Sequence, residues 1–176
     1  MGKSQLAKAL VAALGEDICA RVPGDWFIVP AAEPLATYFA RPLRYDWAPL
    51  DRVVSTPVGA LVALPAFDFV TFRRVSDDGG APLVVRPVLV VDAMYPCPRA
   101  DFTVLLRVGD EIRRARIVER DQRWGSSVVD RWEHLQASKA WLERQGVAYD
   151  LTLTGPVPLD EHARRVAEAF HRRFGG

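Results

Sequence analysis

Short apolar runs alternate with stretches of helical spacing along almost the whole chain, and few architectures accept that alternation. The runs are Ile18 to Val22, Ala60 to Leu64, Leu83 to Val85, Val88 to Val91, Phe102 to Leu106 and Tyr149 to Leu153. Between and around them, Leu6, Leu10, Val11 and Leu14 space one helix from about Ser4 to Leu14, closed by Gly15. Ile112, Ala115 and Val118 space a second behind the helix start Gly109-Asp110, and Trp132, Leu135, Ser138 and Leu142 a third. Ala163, Val166, Ala167 and Phe170 space the last. Parallel strands need crossover connections, which helices supply, so the pattern predicts an α/β fold with a mostly parallel sheet covered on both faces. The segment from Pro30 to Pro57 carries proline and aromatics without a sustained period, and reads as an ordered loop with a short helix around Leu35 to Phe39.

Composition narrows the function. At 176 residues and 49% hydrophobic content, one domain spanning 1–176 with a real core is expected. The 23 basic and 22 acidic residues nearly cancel to +1, so no bulk field gathers nucleic acid or anionic lipid. Cys19 and Cys97 have neither the number nor the spacing of a disulfide framework or zinc site, which suits a reducing cytoplasm. No apolar run approaches the roughly 20 residues of a membrane helix, and no signal-peptide layout opens the chain. The expected partners are small molecules; a homo-oligomer is compatible with the sequence and not specified by it.

Three features carry chemistry. Gly2-Lys3-Ser4 opens the first helix and matches the last three positions of the phosphate-binding pattern G-x-x-x-x-G-K-[ST]. In that pattern backbone N–H groups at a helix N-terminus hold phosphate oxygens, the lysine reaches the outer phosphates and the hydroxyl meets magnesium. Asp25, Asp92 and Gly109-Asp110 all fall at the ends of apolar runs, where ligands bind in parallel sheets. Arg113, Arg114, Arg116, Arg120 and Arg123 crowd one charged stretch, and arginine's planar fork suits phosphate. His134, His162 and His171 are read as helix-surface residues without a role, and Lys139 and Trp141 as packing.

The order of the short motifs extends this reading. After Gly-Lys-Ser come Gly24-Asp25-Trp26-Phe27, Tyr45-Asp46-Trp47, Pro65-Ala66-Phe67-Asp68-Phe69 with Arg74, Val90-Val91-Asp92-Ala93, and the arginine stretch. The series resembles the uridine kinase family of P-loop small-molecule kinases across nearly the whole chain. The resemblance implies a three-layer P-loop fold, ATP and Mg²⁺ as cofactors, and transfer of phosphate to a hydroxyl of a nucleoside such as uridine.

It implies roles as well. Gly2, Lys3 and Ser4 would hold the nucleotide, with Lys3 also catalytic; Asp25 would be the base; Ser4 and Asp92 would lie at magnesium. Asp46 would bond ribose hydroxyls, and Phe67, Phe69, Phe72 and Arg74 would line the acceptor side. Arg120 and Arg123 would close over phosphates from a lid at about 113–128. Phe72 stands where nucleoside-specific members have a base-reading His, which keeps another acceptor such as pantothenate, or a non-catalytic nucleotide-binding relative, as alternatives. Finally, the phosphate pattern needs a glycine five residues before Gly2, where this sequence has only Met1. The expectation is therefore a chain that begins inside its loop, lacking the preceding interior strand because the start was assigned to an internal methionine.

Overall fold

The computed structural model describes residues 2–123, 131–155 and 157–175, and every side chain among them except those of 120–123 and 131. The helices are α1 (Lys3–Leu14), α2 (Leu35–Phe39), α3 (Ala48–Ser55), α4 (Asp110–Arg123), α5 (Arg131–Arg144) and α6 (Leu159–Phe174). The strands are β1 (Cys19–Val22), β2 (Leu61–Ala63), β3 (Ala66–Asp68), β4 (Arg73–Ser76), β5 (Pro82–Val84), β6 (Val88–Val91), β7 (Val104–Arg107) and β8 (Leu151–Thr154). Among the described residues no helix is long and apolar enough to cross a membrane.

The fold is mixed α/β. β1 runs parallel to β6 with Cys19 opposite Val88 and Val22 opposite Val91, and β7 runs parallel to β8 with Val104 opposite Leu151. These are the apolar runs of the sequence, paired as buried parallel strands pair. Two antiparallel pairs, β2 with β5 and β3 with β4, stand apart from them. Among the described residues the sheet is thus divided into four two-stranded pieces rather than one continuous surface.

Helix α1 forms because an alanine-rich stretch offers high helix propensity and places Leu6, Ala7 and Leu10 on one buried side. It ends at Gly15, whose φ of 97° is accessible to glycine, with the Gly15 N–H donating to the Val11 carbonyl at 2.9 Å. The buried side meets Ala163 and Val166 of α6 and Leu153 of β8, and Val90, Val104 and Leu106 join the same cluster. A second cluster, Val22, Phe27, Leu50, Val53 and Leu64, lies under the end of β1. A third is largely aromatic and gathers Tyr38, Phe39, Phe67, Phe72 and Tyr95.

One helix and one hairpin lie beyond the sequence expectation. The segment 30–57 contains α3 as well as the anticipated α2. With eight residues α3 is too short to show a period, yet Leu50 and Val53, three apart, are each 1% exposed. Pro49 sits in its first turn, where the missing N–H costs nothing. The β3–β4 hairpin was likewise unmarked. Its turn is held by Asp68, which accepts the Val70 N–H at 2.8 Å and the Thr71 hydroxyl at 2.5 Å.

Candidate functional site

The site begins where β1 and β6 end. Asp92 follows β6 and is 6% exposed. Its Oδ2 accepts Nε of Arg21 at 2.8 Å and lies 2.7 Å from Arg21 Nη2, and its Oδ1 accepts the Gly24 N–H at 3.3 Å. Gly24 opens a single 3-10 turn, Gly24–Phe27. A Cβ at Gly24 would stand 2.6 Å from the Ala93 Cβ and 3.0 Å from the Asp92 carbonyl oxygen, so the turn approaches the β6 end more closely than any side chain permits. Asp25 is thereby carried on a strap pinned at both sides.

Two groups meet the Asp25 carboxylate. Lys3 Nζ, on the first turn of α1, lies 4.0 Å from Oδ2, and both side chains are more than a third exposed. The Tyr45 hydroxyl donates to Oδ1 at 2.9 Å and accepts the Met94 N–H at 3.1 Å. Burial, and then the Asp25 charge, hold the Tyr45 phenol well above its usual range, so it remains a protonated donor.

Asp46 follows on a segment tied to the same turn, its N–H donating to the Phe27 carbonyl at 2.8 Å and Tyr45 bridging to Ile28. Asp46 Oδ2 accepts both terminal nitrogens of Arg74 at 3.4 Å. Its Oδ1 takes the Ala48 N–H at 3.2 Å, so one carboxylate both braces the turn that leads into α3 and holds Arg74. Arg74 also reaches Asp77 at 3.2 Å.

The aromatic residues form one group. Phe67 and Phe69 have centroids 5.1 Å apart, Phe67 and Phe72 5.7 Å, and Phe39 and Phe72 4.7 Å edge to face. Phe72 is 6% exposed and takes a φ of 53°, left-handed backbone that a bulky residue seldom adopts. Its carbonyl accepts the Ala31 N–H at 2.9 Å, which ties this strained position to the loop before α2.

At the start of α1, Gly2 has a φ of 131°, no side chain caps the helix, and no acidic residue occupies the first turn. Ser4 shares that turn. A Cβ on Gly2 would lie 3.5 Å from Nη1 of Arg116, so a guanidinium from α4 reaches the helix start. Arg116 belongs to the arginine stretch; the side chains of Arg120 and Arg123, the two expected to close over phosphates, lie outside the described residues. Part of the lid expected at 113–128 also lies outside them.

The structure brings Gly2, Lys3, Ser4, Asp25 and Asp92 to one end of the β1–β6 pair, and groups Asp46 with Arg74 beside it. Phe67, Phe69 and Phe72 pack together as part of the buried aromatic cluster. The residue that sequence reasoning missed is Tyr45, legible in the Tyr-Asp-Trp motif but read there as a neighbour of Asp46. Two surface assignments are corrected. His134 and His162 are 3% and 2% exposed, and His134 Nδ1 lies 3.0 Å from the Phe39 carbonyl oxygen, which makes them parts of the interior. Trp141 does pack, against Tyr95 at 4.9 Å, while Lys139 reaches across to Asp110 at 3.3 Å and ties α5 to the start of α4.

No family model matches the chain, and no curated protein matches it. Among solved structures it is similar to a protein from Silicibacter sp. TM1040 named "putative fructose transport system kinase". The two superpose with a TM-score of 0.61 at 22% sequence identity, over 87% of this chain and 84% of that one. The likeness is one of fold.

Proposed function

We infer that this chain has a P-loop kinase fold and is an ATP-dependent phosphotransferase acting on a hydroxyl of a small molecule, with a nucleoside such as uridine as the leading acceptor. The observation that carries the reading is the approach of Lys3 Nζ to Asp25 Oδ2 at 4.0 Å. Two motifs far apart in sequence, one suited to phosphate and one suited to a proton, meet at one sheet end. The fold shared with a protein whose name is that of a kinase supports the same class.

The residues present fit a bound nucleotide. An uncapped helix start with bare backbone at Gly2, Lys3 within the first turn and Arg116 reaching it together form a positive cradle for a polyphosphate. Ser4 would meet magnesium there, whereas both oxygens of Asp92 are already engaged by Arg21 and Gly24, so Asp92 serves by holding the strap. ATP with magnesium supplies the transferable phosphoryl group when bound. Asp25 orients the acceptor hydroxyl and takes its proton, Lys3 balances charge at the phosphate side, and Asp46 with Arg74 bonds the acceptor's hydroxyls.

A second reading keeps the chemistry and changes the acceptor. The Phe72 side chain offers no hydrogen-bonding group, and its ring neighbours Phe39 and Phe67 are apolar as well, which favours an acceptor without a base edge to be read. ADP release measured over uridine, cytidine, fructose and pantothenate decides between them. Uridine turned over well above the others is the expected result; equal rates for uridine and a non-nucleoside favour the second reading. Absence of magnesium-dependent ATP binding by titration leaves a non-catalytic relative.

A further inference from the structure

We propose that Tyr45 is a positioning residue for Asp25, holding one carboxylate oxygen so that the other is presented to the acceptor. The inference rests on the reading of Asp25 as the base and adds to it. A phenol has one proton and two lone pairs. With the Met94 N–H at 3.1 Å filling a lone pair, the proton is directed to Asp25 Oδ1 at 2.9 Å. The remaining oxygen, Oδ2, is the one that faces Lys3.

The hydroxyl can do this because the ring cannot turn away. It stacks on Trp47 at 4.7 Å with 9° between the planes and meets Tyr95 at 5.5 Å. The backbone of Tyr45 bridges to Ile28, at the far end of the turn that carries Asp25. Met94 follows β6 by three residues, so the phenol ties the Asp25 strap to the β6 end independently of the Asp92–Gly24 bond. A carboxylate on a short turn, itself only half-buried, would otherwise sample several rotamers. Here two separate bonds, one to the backbone of the turn and one to the carboxylate, fix it. Burial makes the phenol a durable donor across the working pH range, since ionisation would set two negative groups against each other.

Tyr45→Phe removes the hydroxyl and keeps the ring. With ATP, magnesium and uridine, kcat is expected to fall on the order of tenfold, a part of the hundredfold or more tied to the base itself. KM for uridine and ATP should change less than twofold, and ATP affinity by titration should stay at the wild-type value. Asp25→Asn combined with Tyr45→Phe should be no slower than Asp25→Asn alone, because the phenol acts through the carboxylate. Trp47→Leu, which leaves the hydroxyl and frees the ring, gives a second variant expected to lower kcat in the same sense. If Asp25→Asn is inactive while Tyr45→Phe and Trp47→Leu keep full kcat, or if the double variant loses activity additively, the positioning role is overturned and the base remains. If Asp25→Asn turns over like wild type, or the wild-type chain turns over no acceptor, the base reading falls and the positioning role with it.

Discussion

Arg21 and Asp92 form a bond across the end of the β1–β6 pair in which two guanidinium nitrogens, at 2.8 and 2.7 Å, share one carboxylate oxygen. The other oxygen is left for the Gly24 amide. Asp92 therefore links a strand to the strap that carries Asp25, and its removal strands a partly buried guanidinium and an amide at once.

Asp92→Ala should destabilise the fold by about 2–4 kcal/mol, short of the value for a wholly enclosed pair because Arg21 retains some exposure. Denaturant unfolding measures it. Arg21→Leu combined with Asp92→Ala should recover part of the loss, because no charge is then left unpaired. A double variant less stable than Asp92→Ala would refute the pairing as the cause.

Gly24→Ala should cost about 1–3 kcal/mol by overpacking, since the added methyl falls 2.6 Å from the Ala93 Cβ. Ala93→Gly in the same chain should relieve part of that cost and not all, because the Asp92 carbonyl remains 3.0 Å away. Thermal melts of the single and double variants test the order. Activity should follow the same ranking, as the displaced turn carries Asp25.

Asp46→Ala should raise the acceptor's KM on the order of tenfold and leave kcat within about threefold, the signature of a contact made equally before and during reaction. Arg74 keeps Asp77 as a partner at 3.2 Å, so the variant should fold. Initial-rate kinetics with uridine decide; a fall in kcat at unchanged KM would give Asp46 a different role.

Burial pushes the Cys19 thiol up to about 11 from an ordinary 9.0, and Cys97 is raised for the same reason. At pH 8 about one Cys19 in a thousand is thiolate, so alkylation by iodoacetamide in the native protein should be slow and should accelerate with added denaturant. The folded thiol holds its proton more tightly than the unfolded one. The stability this contributes is complete below pH 9 and is lost as pH rises from 9 towards 11. Rapid labelling of Cys19 without denaturant would contradict its enclosure.

What the sequence determined by itself was set by local or strongly periodic signals. Leu6 and Leu10 marked α1, an unbroken apolar run marked Val88–Val91, and Leu35–Phe39 stood as a helix within an otherwise aperiodic segment. Gly2-Lys3-Ser4 and Asp25 stood out as candidates by residue type and by place in the chain, and packing sets Lys3 Nζ 4.0 Å from Asp25. Short elements escaped because eight residues of α3 and three of β3 show too little of a period, and their burial comes from distant partners. The tertiary structure alone decided which polar groups meet. Asp92 reads as a strand-ending acid in one dimension, and becomes a clamp when β1 brings Arg21 alongside with Arg21 opposite Val90. Tyr45 reads as an aromatic beside Asp46, and becomes the donor to Asp25 when the Ile28 bridge folds it back over the turn. Arg116 reads as one of five arginines, and is singled out when its side chain reaches the start of α1. Hydrophobic period is written along the chain because burial repeats with the backbone's own geometry. A hydrogen bond between residues twenty or seventy apart has no such repeat, and exists once packing has set both ends at about 3 Å.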